Sequence, residues 1–305
     1  MMTNARAATE SRQMGKPPPA LIVAVFGIWV VWGAMYLFSH IALAQWPPYF
    51  IVGARFVIAG TLMFGVLRLR GQALPTAKQW RNAGIVGGLL LVLGTGSTVF
   101  AQQWNTSSMA SVIAATGTIW IAIFSSFIGR PPRRIEWLGI AIGCVGVVVL
   151  ASQGQLQANS AGLLIGLFGT ISWSVGSVLS QKLDLPKGGM RTAVQMMLAG
   201  PVLLSMSLVR GEHVSLQVSP QTWGALGVLI IGSWLGFGSY MYLLGKARPA
   251  LATSYAYMNP VTALLLGTFV AGDVIAPIEF LGIAIILLSV AFIWLASTRQ
   301  RLGSG

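Results

Sequence analysis

Ionisable chemistry is what this chain has least of. Of 305 residues, six are aspartate or glutamate, two are histidine and one is cysteine, and charged residues of both signs make up 8%. The lone cysteine, Cys144, leaves no partner for an intrachain disulfide. His40 and His213 have no Cys, His or carboxylate neighbour at ligand spacing, so neither a metal nor another cofactor is expected. A phosphate-binding loop of the form Gly-x-x-x-x-Gly-Lys-Ser/Thr is absent, and the stretches between apolar runs are too short for a nucleotide-binding domain. ATP hydrolysis by this chain is therefore not expected. A membrane hydrolase or transferase needs a nucleophile with a base, and a proton-coupled carrier generally uses an intramembrane Asp, Glu or His. No carboxylate lies deep in any apolar run. The chain thus reads as a non-enzyme that moves a substrate down its own gradient, with coupling through Glu279, Asp273 or His40 as the minor alternative.

Apolar residues are what it has in abundance. At 55% hydrophobic and a mean hydropathy of +0.76, this is the composition of a polytopic membrane protein. Crossing a hydrocarbon core of roughly 30 Å takes ~20 helical residues. Such runs lie at 20–44, 49–67, 82–102, 107–128, 135–151, 161–180, 192–209, 222–244, 250–271 and 278–297. In lipid their backbone amides must be satisfied internally, which makes them helices. The expected fold is all-α with ten transmembrane spans. The first run is too long for a signal-peptide core and reads as a retained helix.

The sequence pI of 10.9 could suggest a nucleic-acid partner, but the positions of the charges reject it. With a cytoplasmic N-terminus, every lysine and arginine falls inside except Arg210, which falls outside, and Arg55, which lies within a span. That is the positive-inside pattern, and it supports an even number of spans with both termini cytoplasmic. Glu136 and Glu279 open the fifth and tenth spans, where a carboxylate complements the helix dipole.

The two halves repeat each other. Trp32 aligns with Trp173, Ala59-Gly60 with Ala199-Gly200, and Ser108 to Ser111 with Ala250 to Thr253. Ile135-Glu136-Trp137-Leu138-Gly139-Ile140-Ala141-Ile142 aligns with Ile278-Glu279-Phe280-Leu281-Gly282-Ile283-Ala284-Ile285. The offset drifts by only a few residues, as duplication followed by small loop changes would leave it. Five spans per copy make the copies face opposite ways. The organisation expected is a cytoplasmic, disordered tail over 1–19, repeats over 20–152 and 160–297, and a short tail over 298–305 whose Gly-Ser-Gly looks like a cloning remnant.

Inverted repeats place a substrate site near the midplane between the copies. Trp32 and Trp173 are equivalent and lie near mid-span, away from the interfaces where Trp usually sits. Trp120 and Trp234 are similarly deep, and Tyr36 is counted with them. For each tryptophan, packing against helices or lipid is an equally open reading. Span nine carries Thr253-Ser254-Tyr255-Ala256-Tyr257-Met258-Asn259-Pro260, where Pro260 should loosen the helix near Ala256. Tyr257 and Asn259 then either bind a ligand or satisfy the kinked backbone. Gly94 to Ser97 and Gly232 to Ser239 are small-residue patterns that let helices approach. Arg55 either takes a substrate carboxylate or snorkels and holds carbonyls between helices.

The duplicated ten-span plan, Trp32-Gly33, Pro47-Pro48 followed by Arg55-Phe56, the span-nine run and the Glu-Trp-Leu-Gly of 136–139 resemble the EamA branch of the drug/metabolite transporter superfamily over residues 20–297. The resemblance implies two inverted five-helix copies in a bacterial inner membrane. It also implies export of amino acids, aromatic or apolar ones among them, or of other small metabolites by alternating access without nucleotide hydrolysis. Partners implied are the small-molecule substrate and membrane lipids, with the chain a monomer or weak homodimer. One departure is Thr118, where the family has a helix-breaking proline in span four; its repeat counterpart Pro260 is present. The small multidrug relatives exchange protons for cationic drugs on a first-helix glutamate, and residues 20–45 contain no carboxylate. The remaining alternatives are a proton-coupled exporter of lipophilic cations and a non-transporting membrane enzyme or assembly subunit.

Overall fold

The computed structural model describes residues 18–104, 107–152, 159–271 and 277–299. The expectations for both tails and for Asp273 lie outside the described residues. All regular structure among the described residues is helical. The helices are α1 (Pro19–Leu43), α2 (Pro48–Leu69), α3 (Ala77–Ala101), α4 (Ser107–Phe127), α5 (Arg134–Ala151), α6 (Ser160–Leu179), α7 (Gly189–Val209), α8 (Pro220–Lys246), α9 (Tyr255–Ala271) and α10 (Pro277–Arg299). Seven of them (α1, α2, α3, α6, α7, α8 and the Pro277–Leu295 part of α10) are long and apolar enough to cross a bilayer.

Local sequence explains most of the boundaries. Proline occupies the first turn of α1, α2 and α8, where its missing N–H costs nothing. Thr76 and Gln79 form a capping box at the start of α3, and the Ser219 hydroxyl caps α8. Beyond the ends of α2 and α7, Gly71 and Gly211 take the left-handed conformation (φ 79° and 67°) that favours glycine, at matching positions of the two halves.

Two helices depart from the expected regularity. Within α3, Gly88–Gly96 winds as a π-helix, whose wider turn leaves carbonyls in need of other donors. The Thr95 hydroxyl donates to Leu90 O (3.3 Å), and Ser172 of α6 donates to Leu89 O (2.9 Å). The ninth span is interrupted earlier than Pro260 suggested: a short helical turn, Pro249–Ala252, ends at Thr253-Ser254, and α9 then runs unbroken through Pro260. Hydroxyls occupy the break. Thr253 donates to Pro249 O (3.0 Å), Ser254 donates to Leu251 O (2.8 Å), and Ser254 also accepts the Trp29 indole N–H from α1 (3.0 Å).

The duplication reappears in the packing. α2 lies against α7 and α5 against α10, while α1 packs on α8 and α9 just as α6 packs on α3 and α4. Exchanging the halves maps this set of contacts onto itself. Small residues make the central crossing close: a methyl on Gly60 would sit 2.7 Å from Met197 N, and one on Gly200 would sit 2.7 Å from Val57 N. Backbone cannot retreat from a side chain as a flexible neighbour can. Gly200→Val should therefore lower the melting temperature of the detergent-purified protein, with an overpacking cost of about 1–3 kcal/mol or more. Gly65→Ala in α2, which meets nothing within 4 Å, should leave it unchanged or slightly raised.

Candidate functional site

A cavity of about 150 Å3 lies between the two halves. The first half contributes Trp32, Met35 and Ser39 from α1, Arg55 from α2, Thr95 and Thr98 with Gln102 from α3 and its end, and Gly117 and Thr118 from α4. The second contributes Thr170 and Trp173 from α6, Phe237 from α8, Thr253 ahead of α9, and Tyr255 and Asn259 within it. The wall is thus mainly apolar and hydroxyl-bearing, with one permanent charge.

Its aromatic side is built by the repeat. A methyl on Gly236 would lie 2.1 Å from Trp32 Nε1, and one on Gly94 would lie 3.3 Å from the Trp173 ring. Each indole therefore occupies space that a glycine of the opposite half leaves empty. The two rings meet edge to face at 5.5 Å, and Trp32 also touches Phe237 (5.2 Å), Tyr240 (5.2 Å) and Tyr255 (4.4 Å). Quadrupolar attraction favours such tilted pairs by ~0.5–1.5 kcal/mol each beyond area burial. Behind them Tyr240 is fully buried; its hydroxyl accepts the Trp173 N–H (3.1 Å) and bonds Ser177 Oγ (2.6 Å), which satisfies both polar groups and fixes the ring.

Arg55 and Asn259 are 4% and 5% exposed. Arg55 Nε and Asn259 Oδ1 have no hydrogen-bond partner among the described residues, and both side chains line the cavity. The Arg55 guanidinium carbon lies 4.8 Å from the Phe56 ring, and no carboxylate is among the residues of the wall.

The other residues singled out from sequence lie elsewhere. Tyr257 is fully buried behind the wall, where its hydroxyl pairs with Thr118 Oγ1 and reaches Ile140 O at 3.5 Å. That hydroxyl is engaged on protein, and Tyr257 is not among the residues of the wall. Trp234 is 37% exposed beside Ile231 and Leu235, on the outward flank of α8, because Gly232, Ser233, Gly236, Phe237 and Tyr240 form its buried face. Trp120 is half-buried and stacks on Phe124 at 6.0 Å. The Tyr36 side chain lies outside the described residues. Phe237, Tyr240 and the α3 threonines were not singled out. The signal for the first two is their spacing on the glycine-lined face of α8.

The bundle ends are tied by different chemistry. At the end carrying the start of α5, Arg248 grips Glu136 with two parallel bonds, Nε to Oε1 and Nη2 to Oε2 (2.6 Å), and the Glu136 side chain is 1% exposed. Glu136 also accepts from Arg133 N (2.7 Å), so the expected capping role is combined with an ion pair. Beside it Arg130 bonds Gln181 and donates to Ala247 O (2.9 Å); burial and the neighbouring Arg248 charge lower its pKa. At the opposite end Glu212 accepts from Tyr49 N and Phe50 N, and Trp46 Nε1 donates to Ser215 O at 2.7 Å. A latch of guanidinium groups thus closes one end, while the other is held by bonds between side chains and backbone and by Arg210 over the Tyr49 and Phe100 rings.

The EamA-like transporter family matches this chain twice, over residues 20–152 and 160–295, and the chain belongs to that family. It is 40% identical over 277 residues to the uncharacterized inner membrane transporter YedA of Escherichia coli strain K12, covering 90% of each chain. It is 24% identical to a probable amino-acid metabolite efflux pump of Salmonella typhimurium, covering 85% of this chain and 89% of the other. A solved crystal structure with 21% identity shares the fold, with a TM-score of 0.76 over 91% of this chain and 99% of its own.

Removing one partner of a buried ion pair leaves an uncompensated charge, at a cost of about 3–5 kcal/mol. Arg248→Ala should accordingly cause a large loss of melting temperature. In Glu136→Gln/Arg248→Met the amide still accepts from Arg133 N and no charge is buried alone. That double variant should melt higher than the single one; equal losses would show that the pair is not what holds this end.

Proposed function

We propose that this protein is an inner-membrane exporter of amino acids and related amphipathic metabolites, working by alternating access and without nucleotide hydrolysis. The observation that carries the reading is the cavity between two packing-equivalent halves, walled on one side by the equivalent indoles Trp32 and Trp173. A path that opens to each side in turn needs two arrangements of similar energy, and a bundle whose contacts map onto themselves on exchange of halves supplies them. The names of the two relatives, an inner membrane transporter and a probable amino-acid metabolite efflux pump, support location and substrate class.

In this reading ten helices cross the membrane as two inverted sets of five, with both termini and the Arg130–Arg248 latch in the cytoplasm. The positive-inside distribution of basic residues supports that orientation. The cavity belongs to one chain, so a monomer suffices. Its wall offers no carboxylate or histidine to carry a proton, which favours facilitated movement. Trp32, Trp173 and Phe237 would hold the apolar part of the substrate.

Reconstituted protein should give saturable flux of labelled amino acids that ignores an imposed proton gradient; accumulation against a gradient would refute the facilitated mode, and no flux for any amino acid would refute the substrate class. Trp173→Ala removes a ring from the wall and one of the hydrogen bonds that fix Tyr240, whose hydroxyl keeps Ser177. It should raise KM about tenfold, the equivalent of 1.4 kcal/mol.

A further inference from the structure

Five buried side-chain polar atoms have no hydrogen-bond partner among the described residues: Arg55 Nε, Ser125 Oγ, Thr192 Oγ1, Gln195 Nε2 and Asn259 Oδ1. Two of them belong to side chains that line one cavity, and these two are of opposite hydrogen-bonding sense. One is a donor on a permanent cation, and the other is a neutral acceptor. Leaving such groups unpaired is costly: a buried charge carries an effective penalty of several kcal/mol, and an unmet neutral group costs about 1–3 kcal/mol.

The α2–α7 crossing does not by itself require a guanidinium. In the α2–α7 register that sets Ala59-Gly60 over Ala199-Gly200, the counterpart of Arg55 is Gln195. Gln195 is also buried, yet it lies outside the cavity wall and carries no charge. The same crossing therefore accommodates a neutral amide. Charge has been placed only on the member that faces the cavity, in a wall without a carboxylate and with Phe56 as the neighbouring ring.

Resting on the transport reading above, we infer that the cavity is built for a zwitterionic α-amino carboxylate. The ligand carboxylate sits on Arg55 and its ammonium group donates to Asn259 Oδ1. Such a ligand brings the anion that neutralises Arg55 and the donor that Asn259 lacks, while its side chain lies against Trp32, Trp173 and Phe237. A lipophilic cation offers neither the anion nor relief from the Arg55 charge. A carboxylate without an amine leaves Asn259 Oδ1 unpaired. A site whose buried polar groups would be stranded discriminates strongly against the analogue that lacks the matching group.

The test uses the full-length protein in proteoliposomes and three matched probes: L-phenylalanine, 2-phenylethylamine, which lacks the carboxylate, and 3-phenylpropionate, which lacks the amine. Protein-dependent flux of phenylalanine should exceed that of either analogue at least about tenfold, since 1.4 kcal/mol is one decade. Arg55→Gln, which copies the residue of the other half, should erase the preference over 2-phenylethylamine, and Arg55→Lys should keep much of it. Asn259→Ala should erase the preference over 3-phenylpropionate. Each readout is a ratio within one variant, so a lower yield of folded protein cancels; should Arg55→Gln fail to fold, the Asn259→Ala ratio decides. Unchanged ratios in the variants, or a wild type that carries 2-phenylethylamine as well as phenylalanine, would overturn this subsite and leave the transport reading standing. Absence of flux for all three probes and for every other amino acid would overturn both.

Discussion

Each of two tryptophans occupies the space that a glycine of the opposite half leaves free, and the interior is arranged around that exchange. Trp32 of α1 lies on Gly236 of α8, and Trp173 of α6 lies on Gly94 of α3. Large rings can enter a crowded helix crossing only where the facing residue has no side chain, so these contacts set how near α1 comes to α8 and α6 to α3. They also bring the rings edge to face at 5.5 Å on one side of the cavity. The π-helical turn in α3 and the interruption before α9 flank this cluster, and hydroxyls of Ser172, Thr253 and Ser254 satisfy carbonyls there. In a bilayer that service cannot be left to water.

Charge is used sparingly and at different depths. Arg248 and Arg130 spend theirs at one bundle end, where a buried glutamate and free carbonyls accept them. Arg55 lies within α2, and its Nε has no acceptor among the described residues. The contrast separates guanidinium groups that close structure from one that lines the cavity. Exchange symmetry is broken at both places: Gln195 corresponds to Arg55, and Thr106 stands where the second half has Arg248. Packing is shared between the halves, whereas polarity is not.

Much of the fold was legible because lipid simplifies the code. Apolar runs must be helices there, and nearly every helix lies where such a run was read. The site was only partly legible. Depth along a span is visible in sequence, and it picked out Trp32, Trp173, Arg55 and Asn259, all of which line the cavity. Depth says nothing about rotation around a helix in a segment apolar on all sides, and so Trp234, equally deep, faces outward while Phe237 faces in. Tyr257 is a different case: it was read as binding a ligand or satisfying the kinked backbone, and its hydroxyl instead pairs with Thr118, the residue standing where a proline was expected.

Composition, charge placement and the internal repeat by themselves determined a helical membrane protein with two related halves. Those properties depend on single residues and their spacing along the chain. Which side chains meet in the cavity, that Glu136 is both a helix cap and a latch, and that Arg55 Nε has no hydrogen-bond partner among the described residues while Arg130 and Arg248 are bonded, were decided only by the tertiary structure. The physical reason is that each depends on the rotation of one helix against another. In a bundle this apolar, that rotation is set by a few glycines and hydroxyls and not by hydrophobic periodicity.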